Sequence, residues 1–123
     1  PIMLLKQETI KTETGSLAAT SMAGHIINNY GQTADAVITL AAAAKGLHFT
    51  VILGTTVAKY YRLDPASGDS IYLDGATTGD GKYVGIASAS AGAAIEFTAF
   101  QAGANSYDWA AKTIAGTWVA ESA

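Results

Sequence analysis

The chain has 123 residues, seven basic against ten acidic, a net charge of −3 and no cysteine. That is one domain's worth of polypeptide. It excludes disulfides and thiolate metal sites, and it lacks the Lys/Arg run that carries nucleic-acid binding.

The first 23 residues differ from the rest. Ile2–Thr14 mixes apolar, Lys and Glu residues with no clean period of 2 or 3.6. Apolar residues fall on both parities at its start: Ile2, Met3, Leu4 and Leu5, with Ile10 further on. That pattern suits an extended arm held between two surfaces and docked on a neighbouring subunit; the alternatives are a first strand of the same domain or a frayed tail. Thr14–Ala23 is small and polar and reads as a linker. Pro1 suits removal of an initiator Met, and the start has neither the basic leader nor the long apolar core of a secretory peptide. No apolar run approaches the roughly 20 residues of a membrane helix.

From residue 24 to the C-terminus short strand-like segments alternate with turn chemistry. Strands are predicted at His25–Asn28, Ala36–Leu40, Leu47–Leu53, Val57–Leu63, Ser70–Leu73, Lys82–Ala87, Ala93–Phe100, Ser106–Thr113 and Thr117–Glu121. Asn28–Gln32 is a turn. Leu47–Leu53 is apolar on one parity and carries Ile52 on the other, so it reads as a central strand covered on both sides. Gly54–Thr56 reads as a hairpin turn and Asp64–Asp69 as a Pro/Gly turn. Asp74–Gly81, with three glycines in eight residues, reads as the most flexible loop. The expected fold is a single all-β domain over 24–123, an antiparallel sandwich or barrel of about nine strands, preceded by the arm and linker of 1–23.

Only 14% of the residues are charged, against about 25% in an average domain. Much of the remainder is Ala, Gly, Ser and Thr. A surface so poor in ions is easily buried against neighbours, so the composition points to oligomerisation.

Candidate chemistry is sparse. Asp64, Asp69, Asp74 and Asp80 supply oxygen ligands of the kind Ca²⁺ takes, but they lack EF-hand spacing. They read instead as turn caps, each bonding its own backbone. His25 and His48 have no Ser elbow or Cys to form a triad with, and His48 reads as a hydrogen-bonded structural residue. Glu96 with Asp108 is the one carboxylate pair considered for glycosidase-type chemistry. Gly75–Lys82 lacks phosphate-loop spacing. Tyr60, Tyr61, Tyr72, Tyr83, Tyr107, Trp109 and Trp118 form either a sugar platform or, as their alternation with apolar residues favours, core and subunit-interface packing. No cofactor is expected.

Residues 36–118 resemble a β-rich module of bacteriophage structural proteins, of the capsid-decoration and tail-fibre type. The resemblance rests on Ile38–Gly46 (ITLAAAAKG), Phe49–Gly54 (FTVILG), the Asp64–Asp69 turn (DPASGD), Ala91–Phe97 (AGAAIEF) and the strands bearing Trp109 and Trp118. Many fibre modules have Pro where this chain has Ala41, which leaves that turn less rigid. The resemblance implies a β knob, often trimeric, located in the virion and without enzymatic activity. The expected function is a decoration (cementing) protein that stabilises a shell as a homotrimer. Its partners would be itself and the major capsid or another virion protein, with no nucleic acid and no membrane. Ile2, Met3, Leu4, Leu5, Ile10, Tyr60 and Tyr72 are the expected assembly interface. The alternatives are a tail-fibre or adhesin module binding host glycan, and a filament subunit joined by strand addition of the arm.

Overall fold

A computed structural model describes residues 7–121 of the chain. Period-2 alternation of apolar and polar residues builds strands throughout. They are β1 (Glu8–Ile10), β2 (Gly15–Ser16), β3 (Ala23–Asn28), β4 (Ala36–Thr39), β5 (His48–Ile52) and β6 (Tyr61–Asp64). The second half adds β7 (Ser70–Leu73), β8 (Ala76–Asp80), β9 (Val84–Ile86), β10 (Ala94–Gly103), β11 (Ser106–Ala115) and β12 (Val119–Ala120). A four-residue 3₁₀ turn, Ala19–Met22, precedes β3.

The strands form two mixed sheets, one of seven strands in the order β1-β3-β5-β10-β11-β7-β8 and one of five in the order β12-β9-β6-β4-β2. The expected all-β class holds, but the expected antiparallel pairing does not. β1–β3, β3–β5, β2–β4, β4–β6 and β11–β7 are all parallel. The physical reason is the path of the chain. From β1 to β6 successive strands alternate between the sheets, so each strand meets its neighbour only after a full circuit. Glu8 lies beside Ile26 and Ile26 beside Thr50 in one sheet. Gly15 lies beside Ile38 and Ile38 beside Leu63 in the other. A full circuit returns the chain in the same direction, whereas a hairpin reverses it.

Two local expectations change with this path. Gly54–Thr56 is not a hairpin turn, because β5 and β6 lie in different sheets; it opens a crossover. Residues 8–10 and 15–16, read from sequence as arm and linker, pair with β3 and β4. Leu17 and Met22 enter the core. Ile2, Met3, Leu4 and Leu5 lie outside the described residues.

One hydrophobic cluster draws on both sheets: Phe49, Val51, Ile71, Ile95, Phe97 and Trp109 from the larger, Ile38, Tyr61, Leu63, Val84 and Ile86 from the smaller. Its centre is aromatic. Phe49 and Phe97 face each other across β5 and β10, stacked with ring centroids 4.9 Å apart and planes nearly parallel. Trp109 meets both edge-on, at 5.5 and 6.3 Å. Its indole Nε1 is buried without a hydrogen-bond partner among the described residues. An unpaired buried donor costs about 1–3 kcal/mol. Burying roughly 150–250 Å² of indole contributes about 4–6 kcal/mol, so the ring stays inside.

Buried polar groups organise the crossovers. Asn29 and Gln32 are the two buried polar side chains among the described residues. The Asn29 amide donates to Gln32 Oε1 (2.8 Å) and to the Thr55 carbonyl (3.2 Å). Its Oδ1 accepts from the N–H groups of Gly54 (2.9 Å) and Thr55 (3.1 Å). Gln32 Nε2 donates to the carbonyls of Ala34 (2.8 Å) and Tyr60 (3.0 Å). The turn after β3 is thereby bonded to both ends of the β5–β6 crossover. Asn29→Ala leaves Gln32 Oε1, two amides and a carbonyl unpaired, and is expected to lower unfolding free energy by about 2–4 kcal/mol in a urea titration. A loss under about 0.5 kcal/mol, the size of an ordinary surface change, would refute this role.

Candidate interaction surfaces

The outward face of the seven-stranded sheet carries an open concavity. Strand alternation places Glu96, Thr98 and Phe100 of β10 outward, opposite the buried Ile95 and Phe97. The register sets Glu96 beside Lys112, Thr98 beside Ala110 and Phe100 beside Asp108. Ala110 in turn lies beside Tyr72 of β7. The Tyr72 and Phe100 rings meet edge-to-face at 5.4 Å and 70°. With Asp74, Gly75, Gln101 and Lys112 they line an open groove of about 930 Å³. Tyr72 was expected at an interface; Phe100, Thr98 and Gln101 were not singled out, although β10 alternation across Thr98 and Phe100 was the available signal. The same alternation leaves His48 and Ile52 of β5 exposed, so β5 is covered on one face, not two.

Tyr60, also expected at an interface, clasps a cation within the chain. The Arg62 guanidinium lies 3.7 Å from the Tyr60 ring centroid and 4.4 Å from that of Tyr83. Each stacking contact is worth about 0.5–1 kcal/mol at an accessible site. Gly85 makes room for this: it pairs with Arg62, and a Cβ there would meet Arg62 Cγ at 2.8 Å and the Tyr61 carbonyl oxygen at 2.9 Å. Tyr61 is fully buried and donates its hydroxyl to the Lys11 carbonyl at 2.7 Å; burial pushes its pKa upward. Gly85→Ala is expected to cost about 1–3 kcal/mol in denaturant unfolding. An unchanged midpoint would show that β6 and β9 are not in close contact there.

The acidic residues do not gather. Among the described residues no group of three His, Cys, Asp or Glu side chains is placed to hold a metal ion. The expected capping on its own turn is corrected for Asp69 and Asp74, which with Asp35 and Asp108 tie distant segments together. Asp69 accepts from Ala43 N (2.8 Å), Asp108 from Ser70 N (2.9 Å), Asp35 from Tyr60 N (3.0 Å) and Asp74 from both Thr113 N and Thr113 Oγ1 (2.8 Å each). Asp64 ends β6 and Asp80 ends β8. Glu96 pairs with Lys112, four residues along β11 from Asp108, a backbone offset of roughly 13 Å at strand rise, wider than the carboxylate spacings of glycosidases. His25 bonds Thr9 Oγ1 through Nδ1 at 3.1 Å, while His48 is exposed at the start of β5.

Burial, with Asp108 and Asp80 nearby, holds the Asp69 carboxyl above its ordinary pKa, against the opposing Ala43 hydrogen bond. A raised folded-state pKa stabilises the protonated form, so this contribution is present in acid and lost as pH rises through the folded value. Asp69→Asn keeps an oxygen for Ala43 and removes the charge. The variant is expected to be at least as stable as the parent at pH 7, its advantage shrinking toward pH 4. Thermal melts at the two pH values read this directly; a variant less stable at pH 7 than at pH 4, relative to parent, contradicts it.

Ile10, on edge strand β1, is 49% exposed; Tyr30, Ile114 and Val119 are exposed large apolar residues elsewhere. No helix of the described residues is long and apolar enough to cross a membrane. Comparison with protein-family models, curated proteins and solved structures finds no match.

Proposed function

We propose that this chain is a non-enzymatic structural protein of a bacteriophage particle, a decoration or cementing protein acting as a homotrimer on the shell. In this reading the two mixed sheets stack as a sandwich, and the major capsid or another virion protein is the partner beneath. The particle comes from the resemblance carried by residues 36–118. The self-association is supported by one observation: among the described residues β1 and β2, consecutive in the chain, are each an edge strand, one of either sheet. Those edges offer two rows of backbone N–H and C=O groups, the usual template for pairing with another chain. Ile10 stands half-exposed on β1, and the apolar Ile2–Leu5 segment lies just upstream.

The mechanism is burial. Apolar area removed from water contributes about 25 cal/mol per Å², so an end and segment covering several hundred Å² offset a substantial ordering cost. A shell protein held this way is stabilised by mass action, without any reaction.

Sedimentation equilibrium tests the reading. The expected mass is three times that of the chain, and Ile10→Asp is expected to yield monomer with an unchanged thermal midpoint. A strictly monomeric parent at high concentration overturns the proposal, and an open-ended polymer replaces it with filament assembly.

A further inference from the structure

We infer that the groove on the outward face of the seven-stranded sheet is a binding site for a short, uncharged saccharide chain. The floor is small and apolar at Ala102, Ala110 and Gly75. On it stands the Tyr72–Phe100 ring pair, half-buried and fixed edge-to-face. Both rings sit on strands, so they are held in place before any ligand arrives, which reduces the ordering cost of binding. Sugar rings present a C–H face that packs on an aromatic ring and a rim of hydroxyls that both donate and accept.

The rim of the groove matches those hydroxyls. Glu96 and Asp74 accept, Lys112 donates, and Thr98 and Gln101 do both. Asp74 is anchored by two hydrogen bonds from Thr113, which hold its carboxyl below the usual pKa and so keep it ionised. A volume of about 930 Å³ reaches the upper range of small-molecule sites, roughly 300–1,000 Å³. That is room for several sugar units along an open trough.

Charge decides between occupants. Two carboxylates against one ammonium disfavour acidic sugars. A flat apolar protein partner would strip water from Glu96, Asp74 and Lys112 without replacing their hydrogen bonds, a costly burial. A polyhydroxylated ligand replaces them. This site is separate from the β1/β2 end and does not depend on self-association.

The test is an amide-resonance titration of the full chain with four probes: maltohexaose, cellohexaose, N-acetylchitohexaose and a sialic acid oligomer. At least one neutral hexasaccharide is expected to shift the amides of Thr98, Gln101, Ala110 and Lys112, with Kd of about 1 mM or tighter. The sialic acid oligomer is expected to leave them unmoved. Phe100→Ala is expected to weaken binding roughly tenfold or more. Thr98→Lys, an exposed mid-strand change that fills the trough without touching the core, is expected to abolish it. The inference is overturned if no neutral probe moves these amides at about 10 mM, if the shifts fall on another face, or if the acidic oligomer binds equally. It is also overturned if a correctly folded Thr98→Lys variant binds as the parent does.

Discussion

A chain that passes repeatedly from one sheet to another must find partners for the backbone groups in each passage. Ladder hydrogen bonds stop where a strand ends, and a buried amide without a partner costs as much as a good contact contributes. Here the side chains of Asn29 and Gln32 take that role. One carboxamide accepts from two consecutive amides of the β5–β6 passage, and its neighbour bonds the carbonyl that precedes β6. Once those ends are fixed, Phe49 of β5 and Tyr61 and Leu63 of β6 are brought into one cluster from two sheets. The register of the parallel pairs then follows.

Short acids extend the same solution. Asp35 joins the passage after β3 to Tyr60, Asp69 joins the turn before β7 to Ala43, and Asp74 joins a hairpin tip to β11. This explains a composition that is low in charge yet not low in Asp. Much of the acidic content is spent on backbone amides rather than on ion pairs or metal. It also leaves the outer faces thinly charged, so surface available for docking and internal cross-bracing have a common origin.

The sequence made some of this legible. Period-2 alternation located β3 to β7 and β9 to β12 within a few residues. The circuit was not legible, because a strand carries no local mark of whether its neighbour follows directly or after a full turn. Gly54–Thr56 looks the same in either case; the difference lies in Asn29, many residues away. β8 was missed for a different reason. Asp74-Gly75 was read as the start of a flexible loop because of the glycines that follow. Both residues have positive φ, the signature of a tight type I′ hairpin, and the Asp-Gly pair was the available clue. The groove escaped notice because its parts, Tyr72, Thr98 and Phe100, come together only through the parallel β7–β11 pairing.

In the proposed self-association the β1/β2 end is covered when copies of the chain meet. Amide hydrogen exchange, followed residue by residue at low and high protein concentration, tests this most directly. Protection that rises with concentration at Glu8–Ile10 and Gly15–Ser16, while β10 and β11 stay constant, is the predicted result. Exchange at those five residues that is independent of concentration would contradict it.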